Sequence, residues 1–112
     1  MQWELRRHGV ELDAGISSHI ERRLTFALSR FGARTGRIVV FLSDLNGPKG
    51  GIDKNCQIVV RLKGLGEVVA EVTDTEWIVA VDRAATRIGH NVSRELERIR
   101  DTRRATASPT PM

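Results

Sequence analysis

The chain opens on an alternation. Trp3 and Leu5 fall on one side of an extended segment and Gln2, Glu4 and Arg6 on the other, the period of two that marks a half-buried strand over residues 2–8. The period then changes. Ile16, Ile20, Leu24, Ala27, Leu28 and Phe31 recur at helical spacing, with Asp13 placed to cap the first turn and Gly32 to stop the last. RIVVFLS at 37–43 and CQIVVRLK at 56–63 are rich in β-branched residues and predict two more strands. In the second of these, Ile58, Val60 and Leu62 face one way and Gln57, Arg61 and Lys63 the other. Between them DLNGPKGGIDKN carries Asn46, Gly47, Pro48, Gly50 and Gly51, which predicts a long hairpin connection. A tighter turn at Gly64–Gly66 leads into EVVAEVT, where Val68, Ala70 and Val72 alternate with Glu67, Val69 and Glu71 as a fourth strand. Thr73-Asp74-Thr75-Glu76 fits a capping box, the Thr73 hydroxyl and Glu76 carboxylate each meeting a free backbone amide. A second helix is predicted from there to about Arg100, its apolar stripe being Ile78, Val81, Ala85, Ile88, Val92, Leu96 and Ile99.

The order strand, helix, three strands, helix predicts an α+β fold, βαβββα. Each helix has one apolar stripe and each strand one apolar face, so the economical packing is a four-stranded sheet with two helices on one face. The other sheet face is left open, with Arg61, Lys63, Glu67 and Glu71 near Val59, Val69 and Phe41. A length of 112 residues at 40% hydrophobic content suits one domain and leaves no room for a second. That domain is expected over residues 1–101. Residues 102–112, ending in ATASPTPM, are too small and polar to bury much surface and are expected to form a disordered tail.

Charge and chemistry narrow the function. Lys and Arg number 18 against 14 Asp and Glu, a net +4 carried mostly by arginine, which favours a polyanionic partner only modestly. The single cysteine, Cys56, excludes an internal disulfide framework and points to a reducing compartment. No signal core or membrane span is evident, so a cytoplasmic protein is expected. Enzyme chemistry finds no footing. Cys56 lies inside a strand and His90 on an outward helix stripe, so the two are not expected to meet as nucleophile and base. Asp44 and Asp53 lack a third ligand for a metal. GPKGG joins two strands and lacks the helix and Lys-Ser/Thr pair of a phosphate-binding loop. Trp3 and Trp77 read as core-edge residues. No catalytic residue, metal or cofactor is expected.

One periodicity remains. Arg83, Arg87, His90, Arg94 and Arg98 recur at steps of four, three, four and four, within one stripe of the second helix at about 100° per residue. Glu95, Glu97, Glu76 and Asp82 could neutralise part of it, and periodicity alone ranks a solvated face ahead of a binding face. The first helix adds Arg22, Arg23 and Arg30 against only Glu21 and Asp13. Two adjacent helices could thus present one basic surface, with arginine forks suited to phosphate and a rigid outline suited to structured RNA.

MQWEL, GVELDAGISSHIERRLTFALSRFG, RIVVFLS and EVVAEVTDTEWIVAVDRAATRI, in this order of elements, resemble the ribosome hibernation promoting factors, also described as ribosome-associated translation inhibitors. The resemblance spans residues 1 to about 100. It implies a bacterial or organellar protein that binds the small ribosomal subunit, against 16S rRNA, in the channel for messenger and transfer RNA. There it would silence translation, as under stress, and keep idle ribosomes intact. The family's basic helix positions match Arg22 and Arg23 on the first helix and Arg87, His90, Arg94 and Arg98 on the second. Arg83 shares their stripe and completes the expected RNA-binding set. Three departures stand out. Glu95-Leu96-Glu97 replaces a denser basic end, the aromatic near the start of the second helix is shifted to the neighbourhood of Trp77 and Ile78, and NGPKGGIDKN lengthens a hairpin, bringing Lys49 and Lys54. A C-terminal ribosome-pairing domain, present in long members, is not expected here. The rival reading is a protein-interaction or regulatory module of the same fold with weak or no ribosome binding. A general double-stranded RNA binder fits less well, for want of a lysine cluster at the start of the last helix.

Overall fold

A computed structural model of the protein describes residues 2–11, 13–45 and 53–107. In chain order the elements are β1 (Trp3–His8), α1 (Ala14–Leu28), a 3-10 turn (Ser29–Arg34), β2 (Thr35–Asp44), β3 (Lys54–Leu62), β4 (Gly66–Asp74) and α2 (Trp77–Ala107). The strands lie side by side in sequence order. β1 runs parallel to β2, which requires a crossover, and α1 supplies it; β2, β3 and β4 are antiparallel neighbours. The expected α+β fold, βαβββα, is the observed one.

Register follows the alternation. Leu5, Val40, Ile58 and Ala70 form one row across the sheet, and Leu42, Cys56 and Val72 part of the next. These rows meet Ile20, Leu24 and Leu28 of α1 and Ala80, Val81, Ala84, Ala85, Ile88 and Val92 of α2 in a single buried core, with Trp3 and Trp77 half-buried at its margin. Rows Glu4–Val39–Val59–Val69 and Arg6–Phe41–Gln57–Glu71 lie on the opposite, open face, where Val69 is 45% exposed. The helices approach each other closely at Gly89: a Cβ there would sit 3.3 Å from the Ala27 carbonyl oxygen, tighter than an ordinary contact.

The start of α1 is the predicted one, with Asp13 accepting the Ile16 backbone N–H at 2.9 Å. Its end comes earlier than predicted, at Leu28, where the 3-10 turn takes over; Gly32, with φ of 47°, breaks the path of that turn rather than capping α1. Several details differ. Ile78 is 42% exposed rather than core-facing; it belongs to the first turn of α2, one turn short of Asp82, where α2 bonds α1. Ala80 and Ala84, which the apolar stripe left out, are fully buried. The capping box is not used as expected. β4 continues through Thr73, whose hydroxyl accepts from Asn55 Nδ2 at 3.0 Å, and the Asp74 carboxylate takes over, accepting the Thr75 backbone N–H at 2.7 Å. β2 and β3 run into the expected loop as far as Asp44 and Lys54, which face each other in register and form an ion pair at 2.8 Å. Leu45 donates its backbone N–H to the Asp53 carbonyl at 2.8 Å, and residues 46–52 of the hairpin, Lys49 included, lie outside the described residues. α2 does not end near Arg100 but runs to Ala107, so residues 102–107 of the expected tail are helical; residues 108–112 lie outside the described residues.

Candidate nucleic-acid interface

Helical geometry sets the stripe. α2 buries Val81, Ala84, Ala85, Ile88 and Val92, and at 3.6 residues per turn this leaves Arg83, Arg87, His90, Arg94 and Arg98 on its exposed side. From Arg83 to Arg98 the strip is roughly 22 Å long at 1.5 Å per residue. Asp82, Arg83, Thr86, Arg87, His90, Asn91 and Arg94 line one shallow groove along it.

The stripe is outward, as the sequence predicts, but it leans sideways, over the free edge of β4. Arg83 Nη1 donates to Asp74 Oδ2 at 3.0 Å, and Arg87 Nη1 donates to the Glu71 carbonyl at 3.0 Å. The cause is a helix buried on two sides, against the sheet and against α1, so that only the remaining sector is open.

The seven expected residues fall into three kinds. Arg87, His90, Arg94 and Arg22 are exposed, and the three arginines are bonded to groups other than carboxylates. Arg94 Nη2 donates to Asn91 Oδ1 at 3.2 Å, and Arg22 Nη2 lies 3.4 Å from His19 Nδ1. Arg83 and Arg98 are exposed too but face carboxylates. Arg98 Nε donates to Glu95 Oε2 at 3.2 Å. This bond holds the Glu95 carboxyl below its ordinary value and raises the Arg98 guanidinium above its own. Asp74 is lowered as well, first by the Thr75 backbone N–H and then by Arg83. Solvent screens ion pairs this exposed, so they add little to stability. Arg23 is different. It is half-buried, its Nη2 donates to Thr86 Oγ1 at 3.1 Å, and its Nε forms an ion pair with Asp82 at 3.2 Å. Asp82 also binds His19 Nε2 at 2.6 Å. Arg23 thus ties α1 to α2, and its part in the face is positional.

Periodicity missed Asn91, which shares the groove and donates through Nδ2 to the Val69 carbonyl at 3.1 Å. Its step of four from Arg87 was the available signal. Cys56 and His90 stay apart: the thiol is fully buried, pushed up to about 12 by desolvation, and the imidazole is exposed. Among the described residues no group of three or more His, Cys, Asp or Glu could hold a metal ion, and no helix is long and apolar enough to cross a membrane.

A small α+β domain with an arginine-rich helix face is the class of protein that fold and surface define. The family model described as sigma 54 modulation protein / S30EA ribosomal protein matches residues 4–100, and the chain belongs to that family. The fold agrees with solved structures. The N-terminal domain of Protein Y from Thermus thermophilus superposes with a TM-score of 0.67 at 29% identity, over 84% of this chain and 98% of that one. A ribosomal subunit interface protein from Coxiella burnetii gives a TM-score of 0.67 at 15% identity, over 84% and 96%. No curated protein sequence matches the chain.

Proposed function

We propose that this protein binds the small ribosomal subunit through the two-helix basic face, against 16S rRNA in the channel for messenger and transfer RNA, and so silences and protects idle ribosomes. Family membership supports the ribosome as partner. The single observation that carries the choice of surface is the continuous groove in which Arg87, His90 and Arg94 stand exposed with no carboxylate bonded to either arginine. Arg22 on α1 adds a fourth cationic or titratable group. Fixed guanidinium forks on two packed helices match phosphate oxygens at set spacings, which is how proteins read structured RNA. Cytoplasmic location and the absence of a catalytic role follow from the same reading.

The test is sedimentation with purified subunits. The parent should travel with the small subunit, and its binding should weaken steeply as salt rises, because each phosphate contact releases counterions. Arg94→Glu with Arg98→Glu should lower association by at least about a hundredfold, since two attractions become repulsions at close range. Arg61→Glu with Lys63→Glu, equal in charge but on the other side of the sheet, should bind as the parent does. Equal binding by both double variants would favour an interaction module whose stripe is only solvated. Failure of the sheet variant alone would move the RNA site to the open face.

A further inference from the structure

β4 is an outer strand of nine residues. An outer strand presents a row of backbone donors and acceptors that another strand can use. Its carbonyls at Val69 and Glu71 point away from β3, since both accept from α2: Asn91 Nδ2 reaches the first at 3.1 Å and Arg87 Nη1 the second at 3.0 Å. In an antiparallel ladder the residues whose carbonyls point outward have outward N–H groups too, so Val69 and Glu71 supply four consecutive edge groups. Val69 is also 45% exposed on the open face. This segment reads EVVAEV, and its three valines give it the β propensity to pair with a copy of itself. We infer that Arg87 and Asn91 act as edge guards. They occupy the two outward carbonyls and lay two side chains along β4, keeping it from pairing antiparallel with β4 of a second copy of this chain.

The inference concerns the protein alone and does not depend on RNA binding. In sedimentation equilibrium without nucleic acid, the parent should be monomeric, and Arg87→Ala with Asn91→Ala should self-associate at least about tenfold more tightly, as a two-fold pair of β4 edges. Arg98→Ala removes the same charge without touching the edge and should stay monomeric. Val69→Pro added to the double variant should restore the monomer. It deletes an outward N–H and puts a ring on the edge while sparing the ladder to β3. Circular dichroism on each variant establishes that the sheet is intact. A double variant that remains monomeric would overturn the inference. So would self-association that Val69→Pro does not reverse, which would come from unfolding or another surface.

Discussion

Cys56 shows how a residue can be chemically capable and structurally silenced. It lies opposite Leu42 and Val72 in the core rows, and burial raises its thiol from an ordinary 9.0 to about 12. A raised value in the folded state means that the contribution is complete below 9.0 and declines as pH rises from there toward 12, because the unfolded chain releases a proton that the folded one keeps. Cys56→Ala should therefore cost about 1 kcal/mol near neutrality, and in urea melts that cost should shrink as pH is raised above the ordinary thiol value. A thiol reagent at neutral pH should label the parent only as fast as the protein opens. Rapid labelling of the folded protein would contradict the buried assignment.

Between residues, the junction of β4 and α2 joins a strand end, a helix start and one of the stripe arginines. The Asp74 carboxylate is lowered below its ordinary 3.8 by the Thr75 backbone N–H and Arg83. A lowered value gives stability that is present above 3.8 and is lost as pH falls through the folded value. The parent should lose stability over that acid interval, and Asp74→Asn, less stable at about pH 6, should show a smaller loss there; identical acid profiles in urea melts would remove Asp74 from this role. That junction also shows what the sequence displays and what it hides. The alternation of Val68, Ala70 and Val72 and the recurrence of Val81, Ala85, Ile88 and Val92 place β4 and α2 directly, because periodicity records which face is buried. It does not record where one element hands over to the next. Thr73 has the right spacing for a cap, but Asn55 on the neighbouring strand competes for its hydroxyl, a contact that exists only once β3 and β4 are paired. For the same reason the arginine steps reveal a stripe, while its lean over β4 and the bond from Asn91 to Val69 become visible only in three dimensions. Position on α1 places Arg23 beside Arg22 in the RNA-facing set, and its commitment to Asp82 and Thr86 is likewise tertiary.

At the scale of the whole molecule, a net charge of +4 says little until it is distributed. The open sheet face mixes signs, with Glu4 bonded to Arg6 and Arg37, whereas the groove on α2 holds Arg83, Arg87, His90 and Arg94 with Asp82. Shape adds a second selector. Ala70 on β4 and Ala80, Ala84 and Ala85 on α2 are all buried, and such short side chains let a helix axis lie close to a sheet. The Cα envelope measures only 24 × 18 Å across its two shorter axes. Ala84→Leu would add three carbons at that seam, costing about 1–3 kcal/mol and lifting α2 outward, with every charge left in place. The folded variant should still bind heparin resin as the parent does, yet lose co-sedimentation with the small subunit; full retention of both would show that clearance is unimportant. The buried alanines thus fix how far α2 stands off the sheet, and with it the thickness of the whole domain.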